Sequence, residues 1–320
     1  MDRRRRRIWM AIVSLILIVV GLEFFILAGK TIAFYRAGRK FGATYMTMNN
    51  PFYEIIDDEI RNALEANGDR LLTRDPALDV EKQISQIREF VDQNVSGIFI
   101  NPVDWKAIKP ALEEAKEAGI PVIVVDSDVY DESLVRCTVI SDNYRAGELC
   151  AQHLMKTRES AKILLLSHSV AKSGIDRIQG FKDFLANNPQ YEILDEADCL
   201  GQLELAMPAT EELLKKHPDA DVIMCLNDLA AMGSMAALKE QGRDGQILVY
   251  GVDGSPDGKG MIAEGIMTAT SAQFPRKIGR MAADVIYRFF DGENVPRRVL
   301  VQTELVTKEN LEEYGADGWQ

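Results

Sequence analysis

From Phe41 onward the chain alternates between two hydrophobic rhythms. Eleven short apolar runs, at 42–47, 70–74, 97–101, 121–125, 137–141, 162–167, 191–197, 221–226, 246–251, 267–272 and 299–305, read as strands. Between most of them lie segments whose apolar residues recur at helical spacing, such as Val80, Ile84, Ile87, Phe90 and Val91. Strand and helix in alternation predict parallel sheets covered on both faces. Eleven strands exceed one comfortable doubly wound sheet, so the pattern predicts two α/β lobes.

An internal echo supports the division. A run ending in Asn101 is followed by a helical segment and a second run ending in Asp126. A run ending in Asn227 is followed in the same way by one ending in Asp253. Polar residues at the carboxyl ends of parallel strands sit where ligands bind in open α/β sheets. Two such edges facing each other make a cleft.

The first forty residues follow another pattern. Arginines at 3–7 precede a mostly apolar stretch that runs from Ile8 to Gly29, interrupted by Glu23. As a helix it spans about 33 Å, enough for a bilayer core. The basic tip stays cytoplasmic by the positive-inside rule, so everything after Lys30 is expected outside the membrane, with 30–40 as a short linker. A cleaved secretory signal is the competing reading; an anchor is favoured because Leu27-Ala28-Gly29 makes a poor cleavage site.

Composition sharpens this picture only when it is split. The chain has 320 residues, 47% hydrophobic, with 37 Lys plus Arg against 49 Asp plus Glu. Residues 1–40 hold nine bases and two acids, leaving the rest at a net charge of −19. A body that acidic repels nucleic acid phosphates. Catalytic signatures are weak. His153, His168 and His217 lie far apart, with His168 expected in a solvated loop and His217 at a helix terminus. The glycine-rich stretch at 254–260 lacks P-loop spacing, and the acids at 126–131 lack the Gly and Glu of a calcium loop. No enzymatic activity, cofactor or metal is therefore expected. Cys137, Cys150, Cys199 and Cys225 show no CxxC spacing, and Cys150 and Cys225 fall on apolar faces that suit free buried thiols.

Candidate chemistry gathers at the strand ends. Asn50 and Pro51 suit a helix start, which leaves the adjacent aromatics Phe52 and Tyr53 to be explained. Aromatic rings pack on the C–H face of a sugar while neighbouring carboxylates and amides take its hydroxyls. Asp126-Ser127-Asp128, Asn227-Asp228 and Asp253-Gly254 supply such groups from other strand ends.

Together the segments 48–53, 98–102, 121–126, 141–143, 177–181, 227–228, 251–258 and 269–275 resemble the type I periplasmic sugar-binding proteins, the ribose and galactose receptor family. The resemblance covers about residues 41–308. It implies two Rossmann-like doubly wound lobes joined by a three-strand hinge near 141–142, 272–273 and 302–303. The first lobe would take 41–141 plus 274–302 and the second 142–273 plus 303–320. It implies sugar contacts from Asn50, Phe52, Tyr53, Asp126, Arg177, Asn227, Asp253 and Gln273. Ser127, the ninth expected contact, stands where ribose-type members pair arginine with the aspartate, and Cys199-Leu200-Gly201-Gln202 replaces an aromatic after the seventh strand, so the ring clamp is incomplete and Gln202 offers a polar contact instead. Sugar-responsive repressors share the fold but begin with a helix-turn-helix, whose place here is taken by the apolar segment. Two extracytoplasmic roles follow: a monosaccharide receptor delivering to an ABC transporter permease, or a tethered sensor reporting to a membrane histidine kinase or chemoreceptor.

Overall fold

A computed structural model describes Glu23, residues 38–315 and residues 317–320. The expected anchor at 1–29, Glu23 apart, and most of the linker lie outside these residues. Among the described residues no helix is long and apolar enough to cross a membrane.

The strands form two six-stranded sheets. The first contains β1 (Lys40–Thr44), β2 (Arg70–Arg74), β3 (Gly97–Ile100), β4 (Val122–Val125), β5 (Cys137–Ser141) and β11 (Arg298–Val301), ordered β11-β5-β4-β3-β1-β2 and parallel throughout. The second contains β6 (Ala161–Ser167), β7 (Tyr191–Asp198), β8 (Val222–Cys225), β9 (Leu248–Asp253), β10 (Ala269–Ala272) and β12 (Glu304–Thr307), ordered β12-β10-β9-β8-β6-β7. Only its β12 pairs antiparallel. Five consecutive strands are thus wound in the same order in both sheets, as the internal echo anticipates.

Strands β3, β4 and β8 read GIFI, VIVV and VIMC and are buried at every position, as strands covered on both faces must be. The pleat sends Phe99, Ile123 and Val125 into one apolar cluster and Ile98, Ile100, Val122 and Val124 into another on the opposite face. A third cluster fills the second lobe.

One predicted strand requires correction. The run at 299–305 is two strands, β11 in the first sheet and β12 in the second, parted at Gln302 and Thr303. No glycine or proline marks the break, so periodicity alone reads straight through it. The chain also passes between sheets after β5 and after β10. The crossing after β5 is bonded to the one between β11 and β12, the Asp142 amide donating to Val301 O at 2.8 Å and the Thr303 hydroxyl to Asp142 O at 3.4 Å, while Ala272, at the end of β10, pairs with Glu304.

Helices cover both sheets. Helix α1 (Pro51–Ala66) starts at Asn50, whose Oδ1 accepts from the Phe52 amide, with Pro51 in the first turn. Helices α2 (Val80–Asp92) and α3 (Lys109–Glu117) follow in the first lobe; α4 (Asn143–Thr157), α5 (Lys172–Leu185), α6 (Leu203–Lys216), α7 (Asp228–Glu240) and α8 (Pro256–Glu264) belong to the second. Helix α9 (Pro275–Phe290) returns to the first lobe and packs on α1, and the short α10 (Leu311–Tyr314) follows β12. Helices α4 and α5 approach so closely that a Cβ on Gly147 would stand 1.9 Å from Arg177 O, and one on Gly180 would stand 2.0 Å from Tyr144 O. Two glycines therefore set the seat of Arg177.

Candidate ligand-binding site

The carboxyl edges of both sheets face one cavity, whose empty space together with its open mouth amounts to about 410 Å³. The first lobe contributes Asn50, Phe52, Tyr53 and Asp126. The second contributes Arg177, Asn227 and Asp253, and Gln273 comes from a crossing. Eight of the nine residues expected from the sequence therefore meet here.

Ser127 is the ninth, and its placement is a correction. It lies outside the lining, where its Oγ accepts from the Ser173 amide at 3.1 Å, near the start of α5. The turn after β4 sends Asp126 inward and the next side chain toward the other lobe. Ser127 is therefore an interlobe contact. A second such contact runs from the Trp105 amide to Val170 O at 3.1 Å. These bonds describe a closed cleft, with Asp126, Arg177 and Asp253 all at most 4% exposed.

The two carboxylates occupy matching and strained positions. Asp126 has φ 64° and Asp253 φ 137°, a region L-residues enter at a cost of about 1–3 kcal/mol and mostly at functional sites. Asp126 Oδ2 accepts from Asn101 Nδ2 at 3.0 Å and from the Tyr53 hydroxyl at 3.4 Å, while Oδ1 is buried without a partner. Asp253 Oδ1 accepts from Gln273 Nε2 at 2.7 Å, leaving Gln273 Oε1 buried and unpartnered.

Arg177 lies between them, Nη2 at 3.7 Å from Asp126 and Nη1 at 3.5 Å from Asp253. Its fork is held from behind, Nε donating to Asn143 Oδ1 at 2.8 Å and Nη1 to Leu226 O at 3.1 Å. Asn143 also donates to Asp126 O at 3.2 Å, tying the guanidinium to the opposite lobe. One guanidinium serves two carboxylates, and burial outweighs it: both aspartates are pushed above the ordinary carboxylate range, Asp253 further because Asp228 and Asp126 add their repulsion. Asp228, behind the wall, is pushed up to about 6 by burial although Thr270 and Ser255 donate to it.

The amide of Asn227 is largely committed to the fold, Oδ1 accepting from Ala230 N and Nδ2 donating to Gly201 O. Phe52 stands edge-on to Tyr53 at 5.6 Å, and Tyr53 stacks on Tyr45 at 6.0 Å. Burial raises the Tyr53 hydroxyl well above its usual range, so it is a donor at neutral pH.

The sequence reading missed Met46, Thr47, Ser173 and His168. His168 also corrects the expectation of a solvated loop, being 3% exposed. The Ser169 amide donates to Asp198 Oδ2 at 2.8 Å, drawing the loop inward, and Gly174 leaves room beside the His168 ring stem. Burial lowers its pKa, which keeps it neutral at pH 7. The strand-end rule that selected Asp126 also selects His168, the residue after β6. Gln202 lines the cavity, and His217 caps the end of α6, both as expected. The four cysteines are free and buried. Among the described residues no group of His, Cys, Asp and Glu has the arrangement of a metal site.

Two lobes of like winding, closed over a polar cavity walled by aromatics, define a bilobal ligand-binding protein. The chain belongs to the periplasmic binding protein domain family, whose profile matches residues 41–294. It is 30% identical over 269 residues to the ribose import binding protein of Bacillus subtilis, covering 83% of this chain and 87% of that relative. An ABC transporter solute binding protein from Mycobacterium smegmatis with bound glycerol superimposes with a TM-score of 0.83 at 30% identity, covering 88% of this chain and 100% of that one. A Caulobacter myo-inositol binding protein bound to myo-inositol gives a TM-score of 0.81 at 27% identity, covering 86% and 95%. The protein is a binding protein and not an enzyme.

Proposed function

We propose that the protein captures a monosaccharide or cyclic polyol outside the cytoplasmic membrane, closes its lobes on it, and delivers it to an ABC importer. One observation carries the ligand class. The cavity presents unpartnered buried acceptors, Asp126 Oδ1 and Gln273 Oε1, beside an aromatic wall and a fixed guanidinium. Each unmet buried acceptor costs about 1–3 kcal/mol, and a ligand rich in hydroxyl donors removes that cost. Relatives named for ribose and myo-inositol support the class. The replacement of an arginine by Ser127 argues against D-ribose itself as the preferred ligand.

A thermal-shift panel of D-ribose, L-arabinose, D-allose, D-tagatose, D-fucose and myo-inositol tests the reading. A member at 100 times its dissociation constant stabilises the protein by about 2.7 kcal/mol. A panel without any shift removes the main support for sugar binding.

We further propose that residues 1–29 tether the receptor, because the arginines at 3–7 and the apolar stretch after them have the charge order of an anchor. Retention in the membrane after alkaline carbonate washing is the expected result. A tether also suits a sensor; co-purification with a permease and ATPase selects transport, and with a histidine kinase selects sensing.

A further inference from the structure

Lys259, on α8, is fully buried, and among the described residues the partners of its ammonium are backbone carbonyls. It donates to Gly318 O at 2.7 Å and to Tyr314 O at 3.4 Å. A buried ammonium is costly unless its donors are filled, so this one holds the carbonyls of one segment in place. Two more bonds fasten the same region to the second lobe. Gln320 Nε2 donates to the carbonyl of Gly254, the residue after Asp253, at 3.3 Å, and the Tyr314 hydroxyl donates to Glu304 on β12 at 2.6 Å.

From this anchorage Trp319 reaches the other lobe. Its ring meets Phe52 edge to face, centroids 5.6 Å apart and planes at 67°. It packs against the first-lobe cluster that contains Phe52 and Tyr53 without lining the cavity itself. The contact continues through Phe52 to Tyr53, whose hydroxyl reaches Asp126.

We propose that Trp319 is a positioning residue of the ligand site: fastened to one lobe through Lys259 and seated on Phe52 of the other, it braces the aromatic wall and the closed cleft together. Opening the lobes must either pull Trp319 off Phe52 or unseat its segment from Lys259. The contact therefore favours the closed state, and the apparent affinity for ligand rises with the population of that state. An edge-to-face aromatic pair corresponds to a change of about two- to tenfold.

The affinity readout rests on the sugar-binding reading; the structural readout does not. Full-length Trp319→Ala, Trp319→Phe and Lys259→Met are compared with the parent. With the panel sugar that gives the largest thermal shift, stopped-flow release is expected to be about two- to tenfold faster in Trp319→Ala and in Lys259→Met and to return toward the parent rate in Trp319→Phe. The sugar-free melting temperature is expected to stay within about 2 °C of the parent in Trp319→Ala, since a single aromatic contact is lost. Unchanged release, or equal destabilisation with and without sugar, overturns the proposal. If no panel sugar binds, the sugar reading fails and the brace is read from small-angle scattering of the sugar-free proteins. A larger radius of gyration in Trp319→Ala supports the brace, and superimposable curves overturn it.

Discussion

Asp126→Asn separates what the site does for its ligand from what it costs the fold. The substitution preserves shape. An amide oxygen placed at Oδ2 still accepts from Asn101 and Tyr53, the two donors found there. The amide nitrogen then takes the place of Oδ1, the buried oxygen that lacks a partner and lies 3.7 Å from Arg177. It cannot accept a hydroxyl proton, so one charge-assisted bond to the ligand is lost. Such a bond is worth about 1.5–3 kcal/mol, which weakens binding by roughly 10- to 150-fold. The sugar-free fold responds in the opposite sense. Burial raises the Asp126 pKa against the opposing pull of Arg177, so the native state bears this charge only at a cost that the unfolded chain does not carry. Removing the charge leaves sugar-free stability unchanged or higher. The pH dependence has a definite sign. A carboxylate whose folded pKa is raised gives its stabilisation in full below the unfolded value and loses it as pH rises through the folded value. Asp126, Asp253 and Asp228 all shift in this direction and give a slope of falling stability from pH 5 to pH 7, which the lowered pKa values of buried His168 and half-buried His153 oppose. Asp126→Asn should reduce that slope. Titration calorimetry with the panel sugar and urea melts at both pH values check both halves. Affinity within threefold of the parent, or a loss of sugar-free stability above about 1 kcal/mol, would refute the reasoning.

The remaining predictions concern the scaffold. Gly147→Ala drives a methyl to within 1.9 Å of Arg177 O and must part α4 from α5; a stability loss of about 1–3 kcal/mol or more and weaker sugar binding are expected from urea melts and calorimetry. The four cysteines are buried, with Cys137 and Cys199 pushed up to about 11 by burial, so a thiol reagent at pH 8 should label the native protein slowly and the urea-unfolded protein at once. Rapid labelling of the native protein counts against the packing described.

Much of this architecture was legible in the chain because burial writes itself into periodicity. Strands such as VIVV are apolar throughout since both faces are covered, and the rule that ligands meet carboxyl strand ends located Asp126 and Asp253. The misses share one cause: they depend on contacts between segments remote in sequence. The run at 299–301 passes into Gln302-Thr303-Glu304 with no glycine or proline while the chain changes sheets, so periodicity does not record the crossing that the resemblance places at 302–303. His168 is buried by a loop drawn toward Asp198, and Ser127 is turned toward Ser173 on the facing lobe. The strain at Asp126 and Asp253 was equally silent, because aspartate tolerates a positive φ without a compositional signature.

Two of the three crossings between the sheets are bonded directly at Asp142, Val301 and Thr303, and the third lies beside them where Ala272 of β10 pairs with Glu304 of β12. A joint made of independent strings would let the lobes slide, twist and gape in several combinations. Tied together, these strings act as a single axle, and the lobes can do little except rotate about it. The whole question of whether a molecule a few ångströms across is present then reduces to one angle. Any surface at the far rims moves furthest for a given turn, so a membrane partner that grips both rims reads occupancy as the distance between two handholds and never needs to touch the ligand.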